Sequence, residues 1–556
     1  MGTVLETDFN EKLKQLKSLV FHFDKTSNET KSILLNELVL YVPRKKEAFL
    51  QFHHILLCMM AYPSSEKLLR QVEKTTYQLL KQLSQLTPLQ DKLIGTGLLH
   101  SSIECNFTYQ KIQHIVKHFP NQVFIHSASS NSETQKAVLK QILPNVEYSK
   151  IHAGEKEFKS KVSEFHQSKQ LTDLEWLLLT IKQSSTDIKT QAFLYNQLGV
   201  FIQWKVSSEK DSVSFLRGTH FHTYFHTAPL DKKTSLQDII KQKLPTPAKL
   251  SLKEKQQLIH SAKMTLFYLY RETEPFTNAN EDDITVFHLD KGLSIALFGS
   301  TNNKRYSLES YIGYLVLKNN IPISYGGGWI FGERSQFGIN ILESFRGGES
   351  SLIICELLRV YHQYYKATRF VVKPYQFGLH NPEAIKTGAF WFYYKLGFRP
   401  EDADLKALAK KEEDEKLKNP KYKSEASTLR KYTKSNIALT LSEKTYPDFD
   451  SEVLSQRITN YINSNFDSNR EKAIDQCFKQ LKEALNINIK SWKAEDIDYA
   501  KQLSILFCSY PNSKAWMINN KKDIISLIQL KSAKTELLWI KHLQSFKTFW
   551  RFIDPK

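Results

Sequence analysis

The stretch GINILESFRGGESSLIICELLRVYHQYY, residues 338–365, combines residue types that bind anions. An alternating strand runs into a glycine-containing basic turn and then directly into a helix with apolar residues at Leu352, Ile353, Leu357 and Leu358. The first backbone amides of such a helix have no intrahelical partner and face the turn, where the helix dipole favours negative charge. Gly347 and Gly348 let a phosphate approach the backbone, Arg346 adds a charge-assisted contact, and Ser350 and Ser351 open the helix. Further on, GAFWFYYKLGFRP (Gly388 to Pro400) places an aromatic run at a helix end, before a Gly-Phe turn into another strand. A third constellation is GTHFHTYFHTAP, in which His220, His222 and His226 would share one face of a strand and offer metal ligands. No carboxylate or cysteine stands beside them, and the threonine and aromatic neighbours suit an ordinary strand, so no metal is expected.

The segment FYYKLGFRP resembles the end of the GNAT acyltransferase fold, and the Arg-Gly-Gly turn is similar to that superfamily's acyl-CoA pyrophosphate loop. The likeness runs from Tyr311 to Pro400 and extends to a GNAT-like domain over residues 250–400. It implies a mixed α/β sheet splayed to admit acetyl-CoA or another acyl-CoA, and direct acyl transfer to an amine-like acceptor. Arg346 matches the loop's basic position, whereas Glu349 and Ser351 stand where glycine, or glycine and alanine, are usual; a carboxylate at 349 would oppose a pyrophosphate. Tyr393 falls at the position that in many such enzymes protonates the departing thiolate. The asparagine that often precedes that tyrosine is replaced by Lys386, with Asn381 several residues earlier. An ammonium acceptor needs a base, for which Glu343, on the strand with Ile341 and Phe345, and His380, in FGLHNPE, are the candidates. The same block resembles a family of long bacterial proteins, which adds no reaction. The alternatives are a non-catalytic GNAT-like scaffold or recognition module, and an aminoacyl-tRNA-dependent transferase or nucleic-acid binder.

The elements that must position these residues follow from periodicity. Residues 1–120 read as a helical domain, with apolar spacing at Leu13, Leu16, Leu19 and Val20 and prolines at 43, 63, 88 and 120 near helix ends. Residues 121–245 are mixed, with a strand at Gln122 to His126 and a helix at Leu174 to Lys182. KQKLPTPAKLSLKE, from Lys241 to Glu254, reads as a connector into a new domain. Beyond it the spacing predicts a helix to Tyr270, strands at Ile284 to Leu289 and Leu293 to Phe298, and a short helical stretch near Ser307. A hairpin follows, turning at Asn319 and Asn320; then come a strand from Phe337 to Phe345, a helix from Ser350 to Tyr364, a strand from Arg369 to Val372 and a helix through Trp391. Residues 401–435 read as a charged helix and linker, and 436–556 as a helical C-terminal region.

A chain of 556 residues exceeds what one core usually organises, so two or three domains of α and α/β type are expected. The formal net charge of +19 favours anionic partners without choosing among them. The lysines are scattered rather than clustered, so nucleic acid is not the favoured partner. Five cysteines in apolar runs suit buried, reduced thiols, and no apolar run reaches the length of a bilayer span, so a cytoplasmic protein is expected.

Overall fold

The computed structural model describes residues 2–151, 156–166, 170–219, 221–230, 234–419, 421–442 and 450–554. The chain forms two compact units. The first holds residues 1–229, 256–273 and 318–322; the second holds 230–255, 274–317 and 323–556.

The first unit opens with four helices, Gly2–Leu19, Lys25–Leu38, Lys46–Ala61 and Glu66–Leu83. Asp24 and Ser65 cap the second and fourth by accepting from the amides of Ser27 and Leu68. The unit is not wholly helical up to residue 120, however. Ser102–Asn106 forms β1, which with β2 (Val123–Ala128) and β3 (Val200–Lys205) makes an antiparallel sheet of order β1-β3-β2. The helices Tyr109–His118 and Asp173–Ser184 are buried through Ile112, Ile115, Leu174, Leu177 and Ile181, in one core with Ile103, Ile125, Ile202 and Trp204. The helix Leu252–Tyr268, which the sequence reading assigned to the following domain, sends Met264, Phe267 and Tyr268 into this same core. Its last two turns are apolar enough to be buried on nearly every side.

The second unit is built on an eight-stranded sheet of order β10-β11-β9-β8-β7-β6-β5-β4. The strands are β4 (Ala279–His288), β5 (Leu293–Ser300), β6 (Ser310–Lys318), β7 (Ile321–Phe331), β8 (Arg334–Ile341), β9 (Arg369–Val372), β10 (Arg399–Pro400) and β11 (Ile437–Thr440). Asn319 and Asn320, at φ 47° and 67°, supply the two positive-φ residues of a tight turn between β6 and β7. The stretch expected to be helical near Ser307 is a 3-10 turn, Asn302–Lys304. Residues 401–435 are no linker out of the sheet: they join β10 to β11, which inserts between β9 and β10. β5 and β6 are buried at every residue, so both faces of the sheet's middle are covered. Among the described residues, no helix is long and apolar enough to cross a membrane.

The pairing of β8 with β9 is parallel and short, covering only Arg334, Ser335 and Gln336 against Arg369, Phe370 and Val371. β8 continues to Ile341 while remaining paired to β7 on its other side. The two strands therefore part beyond Gln336. β9 could not follow β8 in any case, because it ends at Val372 and gives way to a 3-10 turn that begins with Pro374.

Candidate functional site

The parting strands lead to the turn singled out in the sequence. β8 ends at Ile341, and Glu343–Phe345 forms a 3-10 turn. Arg346, Gly347, Gly348 and Glu349 lead into the helix Ser350–Tyr365. The sequence reading carried the strand on to Phe345 because Ile341, Glu343 and Phe345 alternate. The structure corrects this: Glu343 opens the 3-10 turn and is exposed, not held on a strand face. Gly347 takes φ +83°, and a Cβ there would meet nothing within 4 Å, so the loop presents an open face at that residue. Glu349 supplies no side-chain cap to the helix and is buried at 2% exposure, turned into the protein rather than out with Arg346 and Gly347. Ser350 and Ser351 are half-buried in the first turn.

Arg346 is exposed and pairs with Glu383, Nη1 to Oε1 at 2.5 Å, which joins the loop to the start of the helix Pro382–Thr387. An ion pair this exposed holds weakly, so a phosphate can compete for the guanidinium. His380 lies three residues before Glu383, exposed and with φ +54°. Asn381 is engaged as the cap of that helix, accepting from the Ala384 amide and donating to the Tyr375 carbonyl. Gly388, at φ +66°, separates this helix from Ala389–Lys395, so the single helix read through Trp391 is two short ones.

Tyr393 lies on the second of these helices, 3% exposed, with its hydroxyl 3.5 Å from Gln376 Oε1. Burial raises its pKa well above that of an ordinary phenol, so the ring is neutral and keeps its proton. Gln376 in turn reaches the gap beside β8, where a Cβ on Gly338 would stand 3.0 Å from its Nε2. On the same strand the Gly338 carbonyl accepts from the Tyr314 hydroxyl at 2.6 Å. Glycines are needed where this tyrosine crosses: a Cβ on Gly326 would run into both the Gly338 carbonyl and the Tyr314 hydroxyl. The site thus brings together Arg346 with Glu383, and Tyr393 with Gln376.

The histidine reading of residues 220–226 does not hold as a strand. His220 lies outside the described residues; His222 is exposed in an irregular segment, and His226 is buried against the Phe23 ring at 4.9 Å. Residues that the sequence reading did not assemble do meet in the first unit: His118, Asp211 and His260. Burial acts to raise the Asp211 carboxyl, but hydrogen bonds from His118, His260 and Ser208 prevail and hold it well below the usual range. The signal available in sequence was His114 and His118, one helical turn apart in YQKIQHIVKH. Asp211 and His260 come from segments too distant in sequence to be linked to it.

Comparison of the chain with protein-family models, with curated proteins and with solved structures finds no match.

Proposed function

We propose that the sheet-bearing unit is an acyl-CoA-dependent acyltransferase of GNAT type, moving an acyl group from a CoA thioester to an amine-like acceptor. The observation that carries this reading is the parallel β8–β9 pair that parts after Gln336 and Val371, with the Arg346 loop and the head of the Ser350–Tyr365 helix directly beyond it. In this reading the Arg346 guanidinium and the amides of Gly347, Gly348, Ser350 and Ser351 hold the pyrophosphate, with Arg346 leaving Glu383 to do so. Glu343 or His380, both exposed on the turns around the loop, takes the proton from an ammonium acceptor so that its nitrogen lone pair can attack the thioester carbon. The carbon–sulfur bond then breaks with its electron pair leaving on sulfur as thiolate, and the nitrogen gives up its second proton to solvent as the amide forms. A phenol as strongly buried as Tyr393 supplies the leaving sulfur with a hydrogen bond rather than a full proton, since its pKa has moved away from that of a thiol.

One observation favours a second reading, a GNAT-like module used for recognition or assembly without catalysis. Gln376 lies against Gly338 where the strands part, and Tyr393 is spent on Gln376. Calorimetry with acetyl-CoA and longer acyl-CoA separates the two. Micromolar binding that weakens about 10-fold or more in Arg346→Ala supports the transferase. Absence of binding by any of these thioesters leaves the recognition module.

A further inference from the structure

The first unit holds a side-chain cluster that this reading does not use. Asp211 sits in the 3-10 turn Glu209–Asp211 at 3% exposure, beside the helices Tyr109–His118 and Leu252–Tyr268. His260 Nε2 is 2.9 Å from Asp211 Oδ1, and His118 Nε2 is 3.4 Å from the same oxygen. The ligand atoms of the three residues all lie within 4.8 Å of one another. The His118 and His260 rings stack at 4.0 Å and 25°, and each presents Nε2 to the same Asp211 oxygen.

We propose that His118, Asp211 and His260 form a binding site for a first-row divalent transition metal of the zinc class, with His118 on its solvent side. The spacing fits the ion. With metal–nitrogen and metal–oxygen distances of about 2.0–2.2 Å, ligand atoms in a tetrahedron lie roughly 3.3 Å apart. The two nitrogen–oxygen separations, 2.9 and 3.4 Å, bracket that edge. The donor set selects the ion: two imidazoles and one carboxylate suit zinc, cobalt or nickel, whereas calcium and magnesium require more oxygen ligands than one aspartate provides.

A second observation points the same way. His260 Nδ1 and His114 Nε2 are buried without a hydrogen-bond partner, and the His114 ring lies 6.1 Å from that of His118 and 6.2 Å from that of His260. Buried polar atoms are ordinarily paired, so the bare His114 Nε2 beside this cluster is unexplained by a purely structural hydrogen-bond arrangement. A metal ligated by His114 as well would account for the bare Nε2; His260 Nδ1, on the far side of a ring that faces Asp211 through Nε2, is not explained by it. His114, one turn before His118 on the same helix face, would supply the fourth ligand, or a water would complete the shell. The backbone carbonyl of Asp211 accepts from the Tyr268 hydroxyl, which fixes the turn that presents the carboxylate.

The test is a cobalt titration of the tag-free, metal-stripped full chain, followed by visible absorption, with zinc competition and metal analysis of the reloaded protein. The expected result is one equivalent of cobalt bound at micromolar affinity or tighter, with the intense bands of a low-coordinate site, displaced by zinc. His118→Gln should weaken it at least 10-fold. His118 is one-third exposed, so this variant should fold, and circular dichroism checks that it does. Asp211→Asn serves as the second variant. Absence of the bands, or cobalt binding unchanged in His118→Gln, overturns the proposal. Neither outcome depends on whether the other unit binds CoA.

Discussion

At the scale of single residues, the decisive group is Tyr393. If its hydroxyl hydrogen-bonds the leaving sulfur, Tyr393→Phe should lower turnover by about 100-fold while leaving acyl-CoA affinity unchanged. Steady-state kinetics beside calorimetry reads both, and unchanged turnover removes the residue from the mechanism. Sequence made Tyr393 visible because the aromatic run and the Gly-Phe turn are local. Its partner Gln376 was not visible, because the contact depends on how the 3-10 turn Pro374–Phe377 folds back after β9. Glu343 shows the opposite error. Alternation along Ile341, Glu343 and Phe345 looks like a strand, yet the backbone has already left β8. A period of two over so few residues cannot tell a strand from the turn that ends it.

Elements were legible where the physics is local. β9 occupies Arg369–Val372 as the apolar run predicts, and the helix from Ser350 ends at Tyr365, where Lys366 takes the left-handed conformation at φ 59°. The short strands β1 and β11 were missed, because each is four or five residues long and finds its partner far along the chain: β1 on β3, and β11 on β9 and β10. Caps are the most local signal of all. Thr172 and Glu175 form a reciprocal capping box at the head of Asp173–Ser184, with Thr172 Oγ1 accepting from the Glu175 amide at 3.2 Å and Glu175 Oε2 accepting from the Thr172 amide at 2.7 Å. Thr172→Ala should destabilise the first unit by about 1 kcal/mol, measured as a shift of the urea midpoint with unchanged slope.

At the scale of the molecule, the second unit binds its C-terminal helices to its sheet through charge as well as packing. Arg305, Asp283, Glu536 and Lys531 are all buried. Lys531 Nζ lies 3.1 Å from Glu536 Oε2, and Asp283 Oδ2 accepts from the Glu536 amide at 2.9 Å. Burial pushes the Asp283 carboxyl up to about 7 from 3.8, against the Glu536 amide and Arg305, which favour its charged form. The folded state therefore holds this proton more tightly than the unfolded chain. Its stabilisation is complete below about pH 4 and is lost as pH rises through 7. Asp283→Asn should flatten the fall in stability between those values, measured as denaturant midpoints across the range. A slope identical to that of the parent chain would mean that other groups set it.

The position of β11 bears on how this protein can be dissected. Its residues, Ile437–Thr440, lie between β9 and β10 and pair with both. A fragment ending at residue 400, where the family resemblance stops, would leave β9 paired to β8 alone, with the side that β11 covers open as a sheet edge. Such an edge recruits other chains. Boundaries drawn by likeness of sequence would here yield insoluble material, and loss of activity in such a fragment would report aggregation rather than a missing catalytic group.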